Sequence, residues 1–394
     1  MMPNITLDRQ RLLALLWGGV IALSMMRVWS SLFFTPIYVM ALWALLDRET
    51  RVRLPGIARC VPMAIVYVIF AFASLFWAAH PKLALMALRG DVLIPLVAFA
   101  ASYQAARRFD ADRHAEFLLL GVWTVFLLGS LFGYVWFGGA CFDKLFDSVG
   151  YYSSYLFMLS GMTLPYLNRR RRLLLYPVVA VLLFLTQQRV AWVVFPFIGF
   201  ADLWLSAHGG MARRWLLLGI AAVLLGSVAM LKIVVEKKPV DALNPEVQAS
   251  GLLDRLAKNE RLRPWRDWAE RGMQSPIVGH GFGRDNVKEH FSGGGAWDES
   301  KLNHGHNIVL NQFLQLGLLG VCLFLLAQLQ LAAVLARLKQ PLAHAALFVL
   351  ILFFLRNLFD DFWFKRLLVV YALYFGWCLG GARWPTVRSV RNEA

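Results

Sequence analysis

Charge is scarce in this sequence: only 16% of its 394 residues are Asp, Glu, Lys or Arg. Acid is scarcer still, with 24 Asp and Glu against 40 Lys and Arg. Cysteine is nearly missing. Cys60, Cys141, Cys322 and Cys378 sit in or beside apolar runs, which excludes a disulfide framework. There is no internal repeat of useful length, no low-complexity tract and no separate soluble domain. The first apolar run lacks a small-residue cleavage site, so it is expected to stay as a helix rather than to be removed as a signal peptide.

What is abundant is apolar sequence. Hydrophobic residues make up 59% of the chain and the mean hydropathy is +0.57, outside the range of an ordinary soluble domain. Apolar windows long enough to cross a bilayer about 30 Å thick recur along most of the length. They fall at 12–27, 30–46, 60–79, 84–106, 115–138, 151–167, 173–188, 190–207, 215–235, 307–336, 341–358 and 367–382. The pattern predicts an all-α polytopic membrane protein of about twelve transmembrane helices. The seventh and eighth windows are parted only by Gln187-Gln188-Arg189.

A net charge of +16 raises the question of nucleic acid. The placement of the charge argues against it. With the N-terminus inside, the inside tails and connections hold Arg9 and Arg11, four arginines from Arg48 to Arg59, Arg107, Arg108 and Arg113, and Arg169 to Arg172. Further along they hold Arg213, Arg214, Arg337, Lys339, Arg383, Arg388 and Arg391. The short outside loops hold few, such as Lys82 and Lys144. This is the positive-inside rule, so the implied partners are membrane lipids and not nucleic acid, with both termini cytoplasmic. One outside loop is long, giving the division 1–235, 236–306 and 307–394. Its eleven basic residues from Glu236 to Lys301 are matched by eleven acidic ones. It also contains His280, His290, His304 and His306, half of the chain's eight histidines.

Several stretches suggest chemistry on that outer face. In Asn303–Gly320, helical spacing puts His306, Leu310, Phe313, Gly317 and Gly320 on one face. Glycines there admit a second helix closely, and a helix start favours a neutral, proton-accepting imidazole. An interfacial histidine with packing glycines accounts for the same pattern. In Asn259–Trp268, Pro264 suits the first helical position. Arg261 and Arg263 would then precede a helix N-terminus that favours anions. Trp265 and Trp268 share a face fit for sugar rings or lipid headgroups, and Arg266 lies between them. An amphipathic interfacial helix is the alternative. Gly279, Gly281 and Gly283 alternate in a turn or a ligand-approaching loop. Arg189 lies at the outer end of two spans, where an arginine is costly unless paired or functional. Arg89 and Asp91 are opposite charges at membrane depth. Two metal readings are weak: Asp110-Ala111-Asp112 lies on the inner side, and the His304-x-His306 set has no standard zinc spacing.

The order of these fragments resembles the O-antigen ligase family of the bacterial inner membrane. The elements are Arg189 between two spans, Arg261-x-x-x-Trp265, Pro276–Gly281, and His306-Asn307 followed nine residues later by Gly317-x-x-Gly320. The resemblance covers about Arg189 to Gly320, and it implies a GT-C-like glycosyltransferase architecture with one large periplasmic loop. It implies transfer of a glycan from undecaprenyl diphosphate to a sugar hydroxyl of the lipid A–core, with inversion and with no metal or other cofactor. In that reaction His306 would be the general base, and Arg189 and Arg261 would hold the leaving diphosphate. Arg263, Arg266, Arg284, Trp265, Asn307, Gly279 and Gly281 would be substrate-binding, in a monomer or weak oligomer. The rival readings are an O-antigen polymerase, a protein O-oligosaccharyltransferase and, in a different class, an anionic-lipid transporter.

Overall fold

The structure, a computed structural model, describes residues 8–27, 30–186, 188–199, 262–292, 306–359, 361, 363 and 365–382. Every regular element among them is a helix. In the first half these are α1 (Arg9–Ser24), α2 (Ser30–Leu46), α3 (Arg48–Cys60), α4 (Pro62–Ala73), α5 (Pro81–Leu88) and α6 (Ile94–Arg108). Then come α7 (Ala111–Phe137), α8 (Cys141–Leu145), α9 (Val149–Thr163), α10 (Arg169–Thr186) and α11 (Arg189–Val194). The rest are α12 (Leu262–Gly272), α13 (Arg284–Ser292), α14 (Ile308–Arg337), α15 (Pro341–Phe359) and α16 (Lys365–Gly381).

Among the described residues, four stretches are long and apolar enough to cross a membrane: Pro81–Arg108, Ala111–Leu145, Ile308–Arg337 and Pro341–Phe359. Arg48–Cys60 and Pro62–Phe76 pass the same test only as a pair bent by 91°. That is fewer than the twelve expected, for local reasons. The expected span 215–235 lies outside the described residues. Helices α1, α2, α9 and α16 run 16, 17, 15 and 17 residues, short of the roughly 20 that cover a bilayer core. Helix α10 opens with four arginines.

Caps set several of the helix starts. The Asp47 carboxylate accepts from the Thr50 amide at 3.0 Å to open α3, and the Ser148 hydroxyl accepts from the Tyr151 amide to open α9. Small residues then bring helices together. A Cβ on Gly380 of α16 would stand 2.5 Å from the Tyr103 carbonyl of α6. Gly18 of α1 and Gly121 of α7 meet the backbone of each other's helix. One large apolar cluster joins α1, α6, α7, α9, α15 and α16.

Polar contacts gather at two ends of this bundle. At one end the Arg27 amide donates to the Leu145 carbonyl at 2.7 Å. Asp147 there takes Arg366 at 2.7 Å and Arg27 at 3.6 Å. At the other end Arg108 meets Asp47 at 2.5 Å, Arg107 pairs with Glu49, and the Thr50 hydroxyl donates to Gln104 at 2.5 Å.

Candidate functional site

The first end holds the start of α14. Asn307 is extended (φ −153°, ψ 122°), and its side-chain oxygen accepts from the Val309 and Leu310 amides at 2.8 and 3.1 Å. Its amide nitrogen donates to the Leu358 carbonyl at 3.0 Å, tying the start of α14 to the end of α15. Asn307 is therefore a cap, whose side chain is already engaged on both atoms. His306 stands one residue before it at φ 46°, so it precedes the helix rather than lying on its first turn.

The continuous face expected from His306 to Gly320 is broken a second time, at Gly317. That residue leaves the helix at φ 64°, ψ −168°. The cause is a strap, residues 276–283, that docks on the break. The Leu318 and Leu319 amides donate to the Pro276 and Ile277 carbonyls at 2.8 and 3.1 Å. In return, the His280 and Gly281 amides donate to the Leu314 and Gln315 carbonyls at 3.1 and 2.9 Å. Backbone groups freed by the kink are thus satisfied by the strap, as membrane depth requires. The close partner predicted for these glycines is a loop, not a helix.

Gly279 and Gly317 face each other across this junction. A Cβ on Gly279 would land on the Gln315 carbonyl, and one on Gly317 on the Ile277 carbonyl. Gly281 is seated against Ala78. Both Gly279 and Gly281 are buried, so what they contact is this chain. On its far side the strap is held by α4 and the turn after it. The Phe282 amide donates to the Ser74 hydroxyl at 2.9 Å, and the Trp77 indole to the Val278 carbonyl at 3.2 Å.

Helix α12 begins at Leu262, two residues before Pro264, which brings Arg263 into its first turn. Trp268 is 3% exposed and packs with Val287 and Leu314, so it belongs to the seam between α12, α13 and α14 rather than to a sugar platform. Trp265 is half-buried. Arg261 lies outside the described residues. Arg189, Arg263 and Arg266 are placed by backbone alone, Arg189 as the first residue of α11. His280 and His290 lie with ring centroids 5.1 Å apart.

Arg284 opens α13 and is committed. It meets the Asp361 carboxylate at 2.6 Å and the Asp361 carbonyl at 3.0 Å. Asp361 is 2% exposed; it also bonds the Asn311 amide and accepts from the Trp363 amide at 2.8 Å. An arginine balanced this way is a poor second ligand for a diphosphate. Asp91 does not pair with Arg89; it lies in a π-helical turn, Arg89–Leu93, and accepts from the Lys365 amide at 2.7 Å.

Sequence reasoning missed Asp361, Gln312, Gln315 and Arg356. Arg356 is wholly buried in the last turn of α15 and donates to the Ser153 hydroxyl at 3.4 Å. Ser153 in turn bonds Gln188, the neighbour of Arg189. The available signal was a set of ionisable residues, from Arg356 to Arg366, between two apolar spans.

Long apolar helices, irregular backbone at one end and buried charge beneath it define a polytopic helical membrane protein with a polar site at one end of its bundle. Residues 173–325 match a family described as O-antigen ligase. The match covers less than half of the chain and supports membership of the O-antigen ligase family. No curated protein matches the chain.

Proposed function

We propose that this protein transfers O-antigen glycan from undecaprenyl diphosphate to a sugar hydroxyl of the lipid A–core at the periplasmic face of the bacterial inner membrane. The observation that carries the reading is the extent of the family match. Residues 173–325 include Arg189, Arg261 and the His306-Asn307 start of α14. About twelve spans, divided as 1–235 and 307–394, flank a periplasmic catalytic loop at 236–306. The gathering of Arg27, Asp147, Arg284, Asp361 and Arg366 at one end supports that sidedness.

His306 accepts the proton of the acceptor hydroxyl. The hydroxyl oxygen attacks the anomeric carbon, the bond to the diphosphate breaks, and the diphosphate departs with the electron pair. Arg189 and Arg261 hold that group and stabilise the charge it gains. Arg263 and Arg266, carried on α12, are further candidates for contact with the diphosphate or the glycan. The polyprenyl tail stays in the bilayer while the diphosphate meets the loop, which is why the site lies at a membrane surface.

The test uses purified protein in detergent with undecaprenyl-diphosphate glycan, rough lipopolysaccharide and EDTA. The ligase reading predicts glycan on the core with wild type and none with His306→Ala, donor binding being retained. Longer glycan on undecaprenyl diphosphate with the core unmodified identifies a polymerase instead.

A further inference from the structure

Below the strap lies a cavity of about 30 Å³. Its polar wall comes from five parts of the chain: Tyr67 of α4, Asp91 of the π turn, Arg284 of α13, Gln312 and Gln315 of α14, and Asp361 and Trp363 between α15 and α16. Gln312 and Gln315 are 4% and 5% exposed. The Gly283 amide, which can only donate, fixes the orientation of Gln315. The Gly283 amide donates to the Gln315 side-chain oxygen, and the Tyr67 hydroxyl to that of Gln312, each at 2.8 Å. Among the described residues, neither amide NH₂ has an acceptor. Two buried NH₂ groups therefore line a cavity with their hydrogens unspent, a costly state unless something accepts from them. Asp91 offers the complement: one oxygen takes the Lys365 amide, and the other remains an acceptor.

The charge of the wall narrows the guest. Asp91 and Asp361 face Arg284, with Lys365 adjoining Asp91, so the site has no surplus of positive charge to hold a phosphate. A hydroxyl accepts from an amide and donates to a carboxylate at once. The volume admits a hydroxyl or hydroxymethyl group, and Trp363 supplies an apolar flank. Gln312 lies five residues beyond Asn307, about 8 Å along the helix. A glycan with its reactive hydroxyl at His306 would reach the cavity with an adjoining sugar.

We propose that this cavity is an acceptor subsite. It takes a neutral sugar hydroxyl of the lipid A–core between the Gln312 and Gln315 amides and the Asp91 carboxylate. The assignment rests on the ligase reading and adds the residues that choose the acceptor. Asp91→Asn tests it, because the Asn oxygen still accepts the Lys365 amide while the cavity loses its free acceptor. In steady-state transfer with rough lipopolysaccharide, the acceptor KM is expected to rise about tenfold, the worth of one charge-assisted hydrogen bond. The donor KM stays as in wild type. Gln312→Leu should move the acceptor KM the same way, and it carries the test if a drop in melting temperature shows Asp91→Asn to be misfolded. An unchanged acceptor KM in folded variants, or a raised donor KM in its place, overturns the subsite while wild-type transfer upholds the ligase. No transfer by wild type overturns the ligase reading and the subsite with it.

Discussion

The two ends of the bundle use the same ion pairs in opposite ways. At the end of Asp47, the partners Arg108 and Glu49 have side chains 43% and 57% exposed. Helix α3 there opens on the Asp47 side-chain cap, while α7 starts after Asp110 at φ 52° and is broken at His114. At the end of Asp361, acid and arginine are 2% and 13% exposed, and the backbone around them is irregular: a π turn, a kink at Gly317 and a docked strap. Water reaches Arg108 and Glu49, although Asp47 and Arg107 are each 13% exposed, whereas both members of the second pair are shielded. Irregular backbone and buried charge persist where the surroundings over-determine them, and such places concentrate function.

The contrast can be broken at several points. The largest effect is expected at His306. His306→Ala should cut transfer roughly 10²–10⁴-fold with the melting temperature unchanged, read from the lipopolysaccharide ladder and a thermal unfolding curve. A fall in stability of matching size would mean that His306 holds the fold and not the reaction. Next is the buried pair. Asp361→Ala should cost about 3–5 kcal/mol by stranding Arg284, and removing Arg284 as well should recover part of that loss in a double-mutant cycle. Additive losses would mean that the two groups are solvated separately. Gly317→Ala should cost about 2 kcal/mol from its positive φ alone. Amide exchange at His280 and Gly281 should quicken as the strap lifts; unaltered exchange would show that the strap stands without the kink.

The smallest effect belongs to the other end. Asp47→Asn should cost below about 1 kcal/mol. The Thr50 hydroxyl first, then its amide and the charges of Arg108 and Arg107, hold the Asp47 carboxyl below its usual range against the opposing cost of burial. A carboxylate so lowered stabilises the fold above its unfolded pKa, and the contribution fades as pH falls through the lower folded value. The melting temperatures of wild type and Asp47→Asn should therefore converge below about pH 4. A gap that widened in acid would assign the effect to another group.

Much of the helical layout was legible because its cause is local. Apolar runs mark helices through short-range physics, whereas Asn307, read as substrate-binding, proved to be the cap of α14. The importance of Gly279, Gly281 and Gly317 was legible too, but not what they serve. A glycine announces a close approach without saying what approaches: Gly317 meets a loop about forty residues away in the chain, and Gly281 of that loop meets Ala78. Trp268 misled for a related reason: an amphipathic face looks alike whether it meets sugar, lipid or a neighbouring helix. Asp361 was overlooked because its partners, Arg284 and Asn311, are 77 and 50 residues away.

By itself the sequence determined that the chain is helical and membrane-embedded, how its basic residues are distributed between its connections, and which fragments carry the family likeness. Those follow from composition, period and motif, each confined to a few turns of chain. The tertiary structure alone decided that α14 breaks at Gly317, that the glycine strap is an internal joint, that Arg284 is neutralised and that two glutamines face a cavity with open donors. Each of these depends on a partner far away in sequence, and only burial makes the pairing matter: in water every one of those groups would have been satisfied by solvent.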